Sequence, residues 1–318
     1  MKLPPRINSI GALIEAHHES LRERPRPHMG ASVLGHSCER WLWLSFRWAV
    51  IEQFSGRMLQ LFDRGKREED VVLANLRAIG MEIDGTQDRV DFGCHISGST
   101  DGVIKSGVPD APKTAHVLEI KTHSKKSFDE LVAKGVKAAK PMHWAQMQVY
   151  MKGLGLTRAL YFAVCKNDDA IHTERIEYDA DAANILVERG KRIVLNPRPP
   201  AKISENTTWW ECKFCAAHDL CHGSRMTKEV NCRTCAFSTP NEKTEWICER
   251  HDQAIPVDYQ REGCPSHVLH PDLVPWKMGE SFNQAEAVYI IDGEPTRNGE
   301  GDAFTLSSVY LIEKYGAK

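Results

Sequence analysis

Two carboxylates and a lysine have the types and spacing that could hold a divalent metal ion beside a phosphate. In the segment Val117–Lys121, the side-chain period of two in a strand places Glu119 and Lys121 on one face and apolar residues on the other. Asp101 precedes a glycine at the end of an earlier predicted strand. Two carboxylates and the backbone carbonyl of Ile120 are the hard oxygen ligands that Mg²⁺ or Mn²⁺ prefers. The ion could activate water and polarise a phosphate, while Lys121 orients the nucleophile or stabilises the transition state.

A Glu-x-Lys pair on a strand is a weak signal alone, because two such charges are more often exposed at a sheet edge. The surrounding order is more specific: Gly98–Gly102 ends in Asp-Gly, a loop follows, and then comes the apolar-Glu-apolar-Lys strand. This order resembles the PD-(D/E)xK nuclease superfamily, with Thr100 in place of the family's proline. The resemblance implies an α/β, restriction-endonuclease-like fold, a mixed sheet flanked by helices. It also implies that Asp101, Glu119 and Lys121 are catalytic.

Two further motifs resemble the RecB-like branch of that superfamily, which includes lambda exonuclease and the CRISPR-associated RecB-like exonucleases. Arg64–Glu69 resembles its first motif, a glycine followed four residues later by His or Glu, and the resemblance implies that Glu69 faces the metal. Gln146 and Tyr150 match its Gln-x-x-x-Tyr motif, which implies that both assist catalysis. The alternatives are a surface glutamate at residue 69 and helix packing at residues 146 and 150. The matching motifs span roughly residues 36–221 in the family's order.

Cysteines supply a further set of candidate ligands. The chain has 10 cysteines and no secretory signal, so metal explains them better than disulfides. One cysteine upstream of the motifs and three downstream resemble RecB-like nucleases that carry a [4Fe-4S] cluster, which implies such a cluster here. The alternatives are a four-cysteine zinc site and a buried free thiol at Cys38. The first cysteine set consists of Cys38, Cys212, Cys215 and Cys221.

A second cysteine set lies nearer the C-terminus and has the Cys-x₂-Cys hook of a zinc ribbon. Four thiolates could complete a closed tetrahedral zinc site. His251 and His267 lie close enough in sequence to replace one cysteine, so the fourth ligand stays open. Cys94 and Cys165, on apolar strands, are predicted to be core residues. The second cysteine set consists of Cys232, Cys235, Cys248 and Cys264.

Hydrophobic periodicity and turn residues predict the elements that position these groups. Helices are predicted over residues 8–20, 38–80, 141–154 and 180–195. Strands are predicted over residues 81–104, 116–122, 159–166, 171–178, 287–291 and 304–312. The composition then changes at Asn196–Pro200, where an irregular, cysteine-rich region begins. We therefore predict a nuclease domain over residues 1–225 and a small zinc-ribbon-like domain over residues 226–318.

The composition is that of an ordinary globular chain, with 318 residues, 42% hydrophobic, 26% charged and a formal net charge of −2. This balance argues against a basic coat for nucleic acid. A lysine-rich stretch over residues 125–137 is either a solvated helix face or a rim that follows phosphates. No apolar run could span a membrane and no signal peptide is evident, so a cytoplasmic location is expected. No Gly-x-x-x-x-Gly-Lys-Ser/Thr sequence occurs, so the chain carries no P-loop motor.

These features together predict a Mg²⁺- or Mn²⁺-dependent DNA exonuclease of recombination, repair or phage DNA processing. Its expected partners are DNA and a separate helicase or single-strand annealing protein. One alternative is a CRISPR-adaptation nuclease that trims prespacers, although that family usually lacks such a ribbon. The other is a non-catalytic DNA-binding metalloprotein, against which the joint presence of Asp101, Glu119 and Lys121 argues.

Overall fold

The structure is a computed structural model that describes residues 9–84, 86–223, 225–282, 286–301 and 303–316. Its helices are α1 Ser9–Ser20, α2 Glu39–Phe46, α3 Gly56–Ala78, α4 Lys125–Lys134, α5 Val136–Ala139, α6 Pro141–Leu154, α7 Ala180–Leu195, α8 Trp210–Lys213, α9 His218–His222, α10 Val257–Glu262 and α11 Ser308–Tyr315. Its strands are β1 Met29–Gly30, β2 Glu82–Asp84, β3 Arg89–Asp91, β4 Ile96–Ser99, β5 Gly102–Ser106, β6 His116–His123, β7 Arg158–Cys165, β8 Ile171–Glu177, β9 Ser238–Pro240, β10 Trp246–Cys248, β11 Gln253–Ala254, β12 Lys277–Phe282, β13 Glu286–Ile291, β14 Glu294–Gly299 and β15 Thr305–Leu306.

The chain forms two compact units, between which its segments alternate. The first unit comprises Met1–Pro25, Glu52–Asp91 and Gly98–Leu186. The second comprises Arg26–Ile51, Phe92–Ser97 and Val187–Lys318. The predicted domain boundary near residue 226 lies inside the second unit, and the independent folding of residues 226–318 stays a prediction. None of the helices among the described residues combines the length and apolar character that crossing a bilayer requires.

A five-stranded mixed sheet, in the order β2-β5-β6-β7-β8, forms the centre of the first unit. β6 and β7 are parallel, and the other neighbouring strands are antiparallel. One face of this sheet buries apolar side chains of β5, β6 and β7 against Val72, Leu73 and Leu76 of α3. α4 and α6 also contact β6 and β7. The predicted mixed sheet flanked by helices is therefore confirmed.

Most of the elements around the predicted motifs are where the sequence placed them. α1, α6, α7, β6, β7, β8 and β13 begin and end within about one residue of the predicted bounds. The region over residues 81–104 is divided into the short strands β2 to β5. Period-two patterns are strongest where one face of a strand packs on a core, as the Leu118 and Ile120 face of β6 does.

The prediction of one helix over residues 38–80 is wrong, because residues 47–55 separate α2 from α3. Trp48 has a φ of 51°, which a right-handed helix cannot accommodate. Its indole Nε1 donates a 3.0 Å hydrogen bond to the carbonyl of Arg26, which holds this turn. Ser55 then caps α3, its Oγ accepting a 3.4 Å hydrogen bond from a first-turn amide. Tertiary bonding outweighs the helical periodicity here.

The second unit contains two small sheets, β11-β10-β9 and β12-β13-β14-β15. The predicted strand over residues 304–312 is wrong, because β15 covers only Thr305–Leu306 and α11 follows it. Ser307 caps α11 by accepting a 3.2 Å hydrogen bond from the amide of Tyr310. Leu311 of α11 packs into the apolar core of the unit. Leu311 is buried on the inner side of this short capped helix, whereas Phe304, Val309 and Tyr310 of the same apolar segment are exposed.

Two arginines are buried in the second unit, Arg47 at 2% and Arg233 at 1% exposure. Arg233 donates hydrogen bonds of 2.9 Å to Gln260 Oε1, 2.8 Å to the Phe46 carbonyl and 2.9 Å to the Pro27 carbonyl. Its guanidinium carbon lies 3.7 Å from the centroid of a Trp48 ring. Cation–π contact and these three acceptors offset part of the cost of burying this charge.

Candidate active site

Glu119 lies on the polar face of β6, and its side chain is completely buried. Lys121 Nζ lies 2.5 Å from Glu119 Oε1 and 3.9 Å from Asp101 Oδ2. Gln146 Nε2 donates a 3.0 Å hydrogen bond to Glu119 Oε2. The structure therefore brings together four of the side chains that the sequence predicted to share a site.

Strand geometry explains how Asp101 and Glu119 meet. Asp101 precedes β5, which pairs antiparallel with β6 in a register that places Gly102 opposite Leu118. One step further along this ladder puts residue 101 opposite residue 119. Asp101 Oδ2 accepts a 2.8 Å hydrogen bond from the amide of Ile120, which fixes its carboxylate beside the polar face. The carbonyl of Ile120 stays a predicted metal ligand.

Helix α6 supplies Gln146 and Tyr150, one turn apart and both buried. Gln146 Nε2 lies 3.4 Å from the Tyr150 hydroxyl, so one amide group links the tyrosine to Glu119. α6 begins at Pro141, whose fixed φ suits the first helical position, and it ends at Leu154, followed by the cap residue Gly155 in the left-handed conformation with a φ of 65°. These caps define the helix that carries the glutamine.

The electrostatics of the site suit a divalent cation. Burial raises the pKa of Glu119 to about 7; the charge of Asp101 adds to this shift, and Lys121 opposes it. Glu69 of α3 is half-buried, and burial followed by the charge of Asp101 raises its pKa. Burial would lower the pKa of Lys121, but the charges of Glu119 and Asp101 outweigh that effect and raise it. The charges of Glu119, Asp101 and Glu69 all act on Lys121, and a bound dication would relieve the repulsion among these carboxylates.

The donor set therefore fits Mg²⁺ or Mn²⁺ in its chemistry. As they stand, no three Cys, His, Asp or Glu side chains within the described ranges are close enough together to hold a metal ion. Glu69, Asp101 and Glu119 remain the predicted ligands, and binding requires them to close around the ion.

We expect the apparent affinity for Mg²⁺ to weaken about tenfold for each pH unit below about 7 and to level off above it. The reason is that the metal must displace the proton that the buried Glu119 carboxyl holds, its pKa being about 7. Isothermal titration with Mg²⁺ between pH 5.5 and pH 8.5 measures this slope. An affinity that does not change across this range would contradict the assignment of Glu119 as a ligand.

The stability of the metal-free protein provides a control, because it should fall as the pH rises, whereas the affinity for Mg²⁺ should increase. Because the folded pKa of Glu119 is raised from 4.5 to about 7, its contribution to stability is full below pH 4.5 and is lost as the pH rises through about 7. Thermal melting without metal should show this loss. Glu119→Gln, which mimics the protonated form, should remove that part of the pH dependence.

The eight cysteines of the two predicted sets all lie in the second unit. Burial raises the pKa of Cys212, Cys215 and Cys221, and the thiol of Cys38 raises all three further. Burial likewise raises the pKa of Cys232 to about 12, with added contributions from Cys264, Cys235 and Cys248. The members of each predicted set are therefore neighbours. Cys94 and Cys165 are buried, as predicted.

Histidine is less suited than cysteine to the second set. His267 Nδ1 lies 2.8 Å from Ser308 Oγ, and its Nε2 lies 3.1 Å from the carbonyl of Asn231. Both ring nitrogens are thus engaged inside the second unit, which leaves His267 no nitrogen for a metal. His251 is exposed.

Part of the lysine-rich stretch after β6 forms an exposed helix surface whose lysines pair with carboxylates of the same helix. Lys125 lies 2.7 Å from Asp129, and Lys134 lies 2.8 Å from Glu130, each one helical turn away. Lys137 Nζ lies 4.4 Å from the centroid of the Trp144 ring.

The model of the PD-(D/E)XK nuclease superfamily matches residues 3–222, more than half of the chain. The chain belongs to this superfamily. This nuclease is also similar to three solved structures, at low identity. SSO0001 is 16% identical and has a TM-score of 0.44, with 67% of this chain and 96% of that one covered.

The second structure is LHK-Exo, an alkaline exonuclease from Laribacter hongkongensis, in complex with dAMP. It is 17% identical, with 57% of this chain and 90% of that one covered and a TM-score of 0.41. A phage-related exonuclease from Haemophilus somnus 129PT is 18% identical, with 40% and 66% covered and a TM-score of 0.29. These likenesses are too distant to carry an argument about fold or function. No curated protein matches the nuclease.

The polar face of the nuclease sheet extends beyond the predicted residues. The Tyr161 hydroxyl lies 2.9 Å from His123 Nε2 and 2.7 Å from His143 Nδ1. Sequence reasoning missed these three residues. Their spacing could have indicated the two histidines as members of the site. His123 follows Lys121 by one strand period, and His143 precedes Gln146 by one helical turn.

Proposed function

We propose that this nuclease is a Mg²⁺- or Mn²⁺-dependent exonuclease that hydrolyses DNA in recombination, repair or phage DNA processing. The observation that carries the proposal is the buried Glu119, joined to Lys121, Asp101 and Gln146 on one face of the sheet. Nucleases of this superfamily use divalent metals such as Mg²⁺ or Mn²⁺. The choice of DNA ends as substrate is supported by the motifs that resemble the RecB-like branch.

Each predicted residue has a role that its contacts allow. Glu69, Asp101, Glu119 and the Ile120 carbonyl would hold the ion, which when bound supplies an activated water and a Lewis acid for the phosphate. Gln146 fixes one oxygen of Glu119, and Tyr150 supports Gln146. Lys121 stabilises the negative charge that develops on the phosphate oxygens.

The experiment compares end-labelled linear DNA, single- and double-stranded, with a covalently closed circle of the same sequence. We expect Mg²⁺ or Mn²⁺ to permit degradation of the linear substrates from their ends, leave the circle intact, and lose effect on chelation. Cleavage of the circle would show an endonuclease. Trimming to a fixed length would instead support the prespacer-trimming alternative. No cleavage of any substrate by folded, metal-supplied protein would leave the non-catalytic DNA-binding alternative.

We further propose that the first cysteine set holds a [4Fe-4S] cluster. Protein purified without air should be brown and contain about four iron atoms per chain, because four thiolates match the needs of one cluster. Cys38→Ala should bleach the protein, since Cys38 is the only member of its set from the N-terminal part of the second unit. Iron analysis and visible absorption measure both effects.

The matched control is Cys94→Ala, which removes a buried cysteine outside both sets and should keep the iron. Zinc without iron in protein never exposed to air would show the zinc alternative at this site. We assign zinc to the second cysteine set, with all four cysteines as ligands. A separate helicase or single-strand annealing protein is the proposed protein partner, because no P-loop occurs in the sequence.

A further inference from the structure

The candidate site continues as two parallel rows of polar side chains. Along β6, Glu119, Lys121 and His123 share one face because they are two residues apart. Along α6, Tyr150, Gln146 and His143 follow one another at helical spacing. The bond from Gln146 to Glu119 joins the rows at one point, at 3.0 Å.

A tyrosine joins the rows a second time. β7 pairs with β6 in a register that places Tyr161 beside Glu119, and Tyr161 is completely buried. Its hydroxyl contacts one ring from each row, His143 Nδ1 at 2.7 Å and His123 Nε2 at 2.9 Å. His123 Nδ1 lies 3.2 Å from Ser127 Oγ. The chain of contacts thus runs from Ser127 through His123 and Tyr161 to His143.

The number of hydrogens available in this series of contacts restricts which ring nitrogen of His143 can carry a proton. A phenol donates one hydrogen, so of the two rings that contact Tyr161 one accepts from it and the other donates to it. Where His143 Nδ1 accepts, the neutral ring carries its proton on Nε2. Burial, followed by the charge of Lys121, lowers the pKa of His143 to about 3, so the ring remains neutral. The same cause, with Lys140 next, lowers the pKa of His123 to about 4.

The accessibility of these groups shows which one can meet a ligand. Tyr161 is inaccessible and His123 is 6% exposed, whereas His143 is only half-buried. A phosphate oxygen is an acceptor, so it would meet an N–H of His143 favourably and a bare ring nitrogen unfavourably.

We propose that His143 Nε2 donates a hydrogen bond to a phosphate oxygen of the bound DNA strand, next to the scissile bond, and that Tyr161 and His123 are positioning residues that fix its tautomer. This inference rests on the proposed function. Binding of the DNA strand favours the arrangement in which Tyr161 donates to His143 Nδ1, so that His143 Nε2 carries the proton. His143 is thereby a substrate-binding residue outside the three metal-facing carboxylates.

The test measures steady-state cleavage of a linear DNA with His143→Ala, Tyr161→Phe and the double variant. We expect His143→Ala to lower kcat/KM by about 10- to 100-fold, the scale of one hydrogen bond to a charged group. Tyr161→Phe should lower it less. In the double variant, loss of the Tyr161 hydroxyl should have no further effect, because it acts only through His143. His18→Ala, on the helix α1, is the control and should leave cleavage unchanged.

A second readout is independent of turnover. ¹⁵N-histidine spectra distinguish a protonated from a bare ring nitrogen, and His143 should gain Nε2–H character when DNA binds with Ca²⁺ in place of Mg²⁺. Additive losses in the double variant, cleavage by His143→Ala within twofold of the unaltered protein, or an unchanged tautomer would each overturn the inference. Where His143→Ala does not fold, His143→Leu, which fills the space but has no N–H, provides the same comparison. Absence of cleavage by the unaltered protein would instead contradict the proposed function.

Discussion

Replacing Lys121 or Asp101 by alanine is expected to lower DNA cleavage by about 100- to 1,000-fold, the usual effect of removing a group that meets transition-state charge. Lys121 forms ion pairs with both Glu119 and Asp101 on the polar face of β6. Asp101 is a proposed metal ligand whose carboxylate also holds the Ile120 amide at 2.8 Å. Initial rates on linear DNA with saturating Mg²⁺ measure the loss.

The matched control for Lys121 is Lys125→Ala, four residues further along, on the first turn of α4. Lys125 is exposed and pairs with Asp129, so its removal should change cleavage by less than about twofold. Circular dichroism should show that each variant keeps its fold. A folded Lys121→Ala protein that cleaves at the normal rate would exclude Lys121 from the chemistry.

Arg233→Ala should have the largest effect on stability, lowering the free energy of unfolding by about 3–5 kcal/mol. The substitution removes hydrogen bonds to Gln260, Phe46 and Pro27, leaving two buried acceptors and one partly buried acceptor without their donor. It also leaves a space beside the Trp48 ring. Urea unfolding monitored by tryptophan fluorescence measures the change.

Arg250→Ala is the control, because Arg250 forms a partly exposed ion pair with Glu300 at 3.0 Å in the same unit. Its loss should cost no more than about 1 kcal/mol. Equal effects of the two substitutions would mean that the buried contacts of Arg233 contribute no more to the free energy of unfolding than a partly exposed ion pair does.

Local patterns in the sequence predicted the parts of the site whose geometry is set by one element. Glu119 and Lys121 alternate with Leu118 and Ile120, and the structure places the first pair on the polar face and the second in the core. The helical spacing of Gln146 and Tyr150 likewise gave their common face.

The remaining features depend on residues from distant elements. The Tyr161 hydroxyl contacts both His123 and His143 only because β7 pairs with β6 and packs against α6, which no local pattern encodes. The turn at Trp48 and the helix α11 were missed for the same reason. A bond to the Arg26 carbonyl and the burial of Leu311 outweighed the local periodicity.

The buried contacts of the second unit have a consequence for the order in which the chain can fold during synthesis. The carbonyls of Phe46 and Ala49 accept hydrogen bonds from Arg233 and Thr227, which lie 187 and 178 residues further along the chain. The Trp48 carbonyl accepts from Asn231 in the same way. After α2 has emerged from the ribosome, most of the rest of the protein must therefore still be synthesised before these acceptors meet their donors. The N-terminal segment of the second unit should stay open to chaperones until then, because contacts so distant in sequence form late.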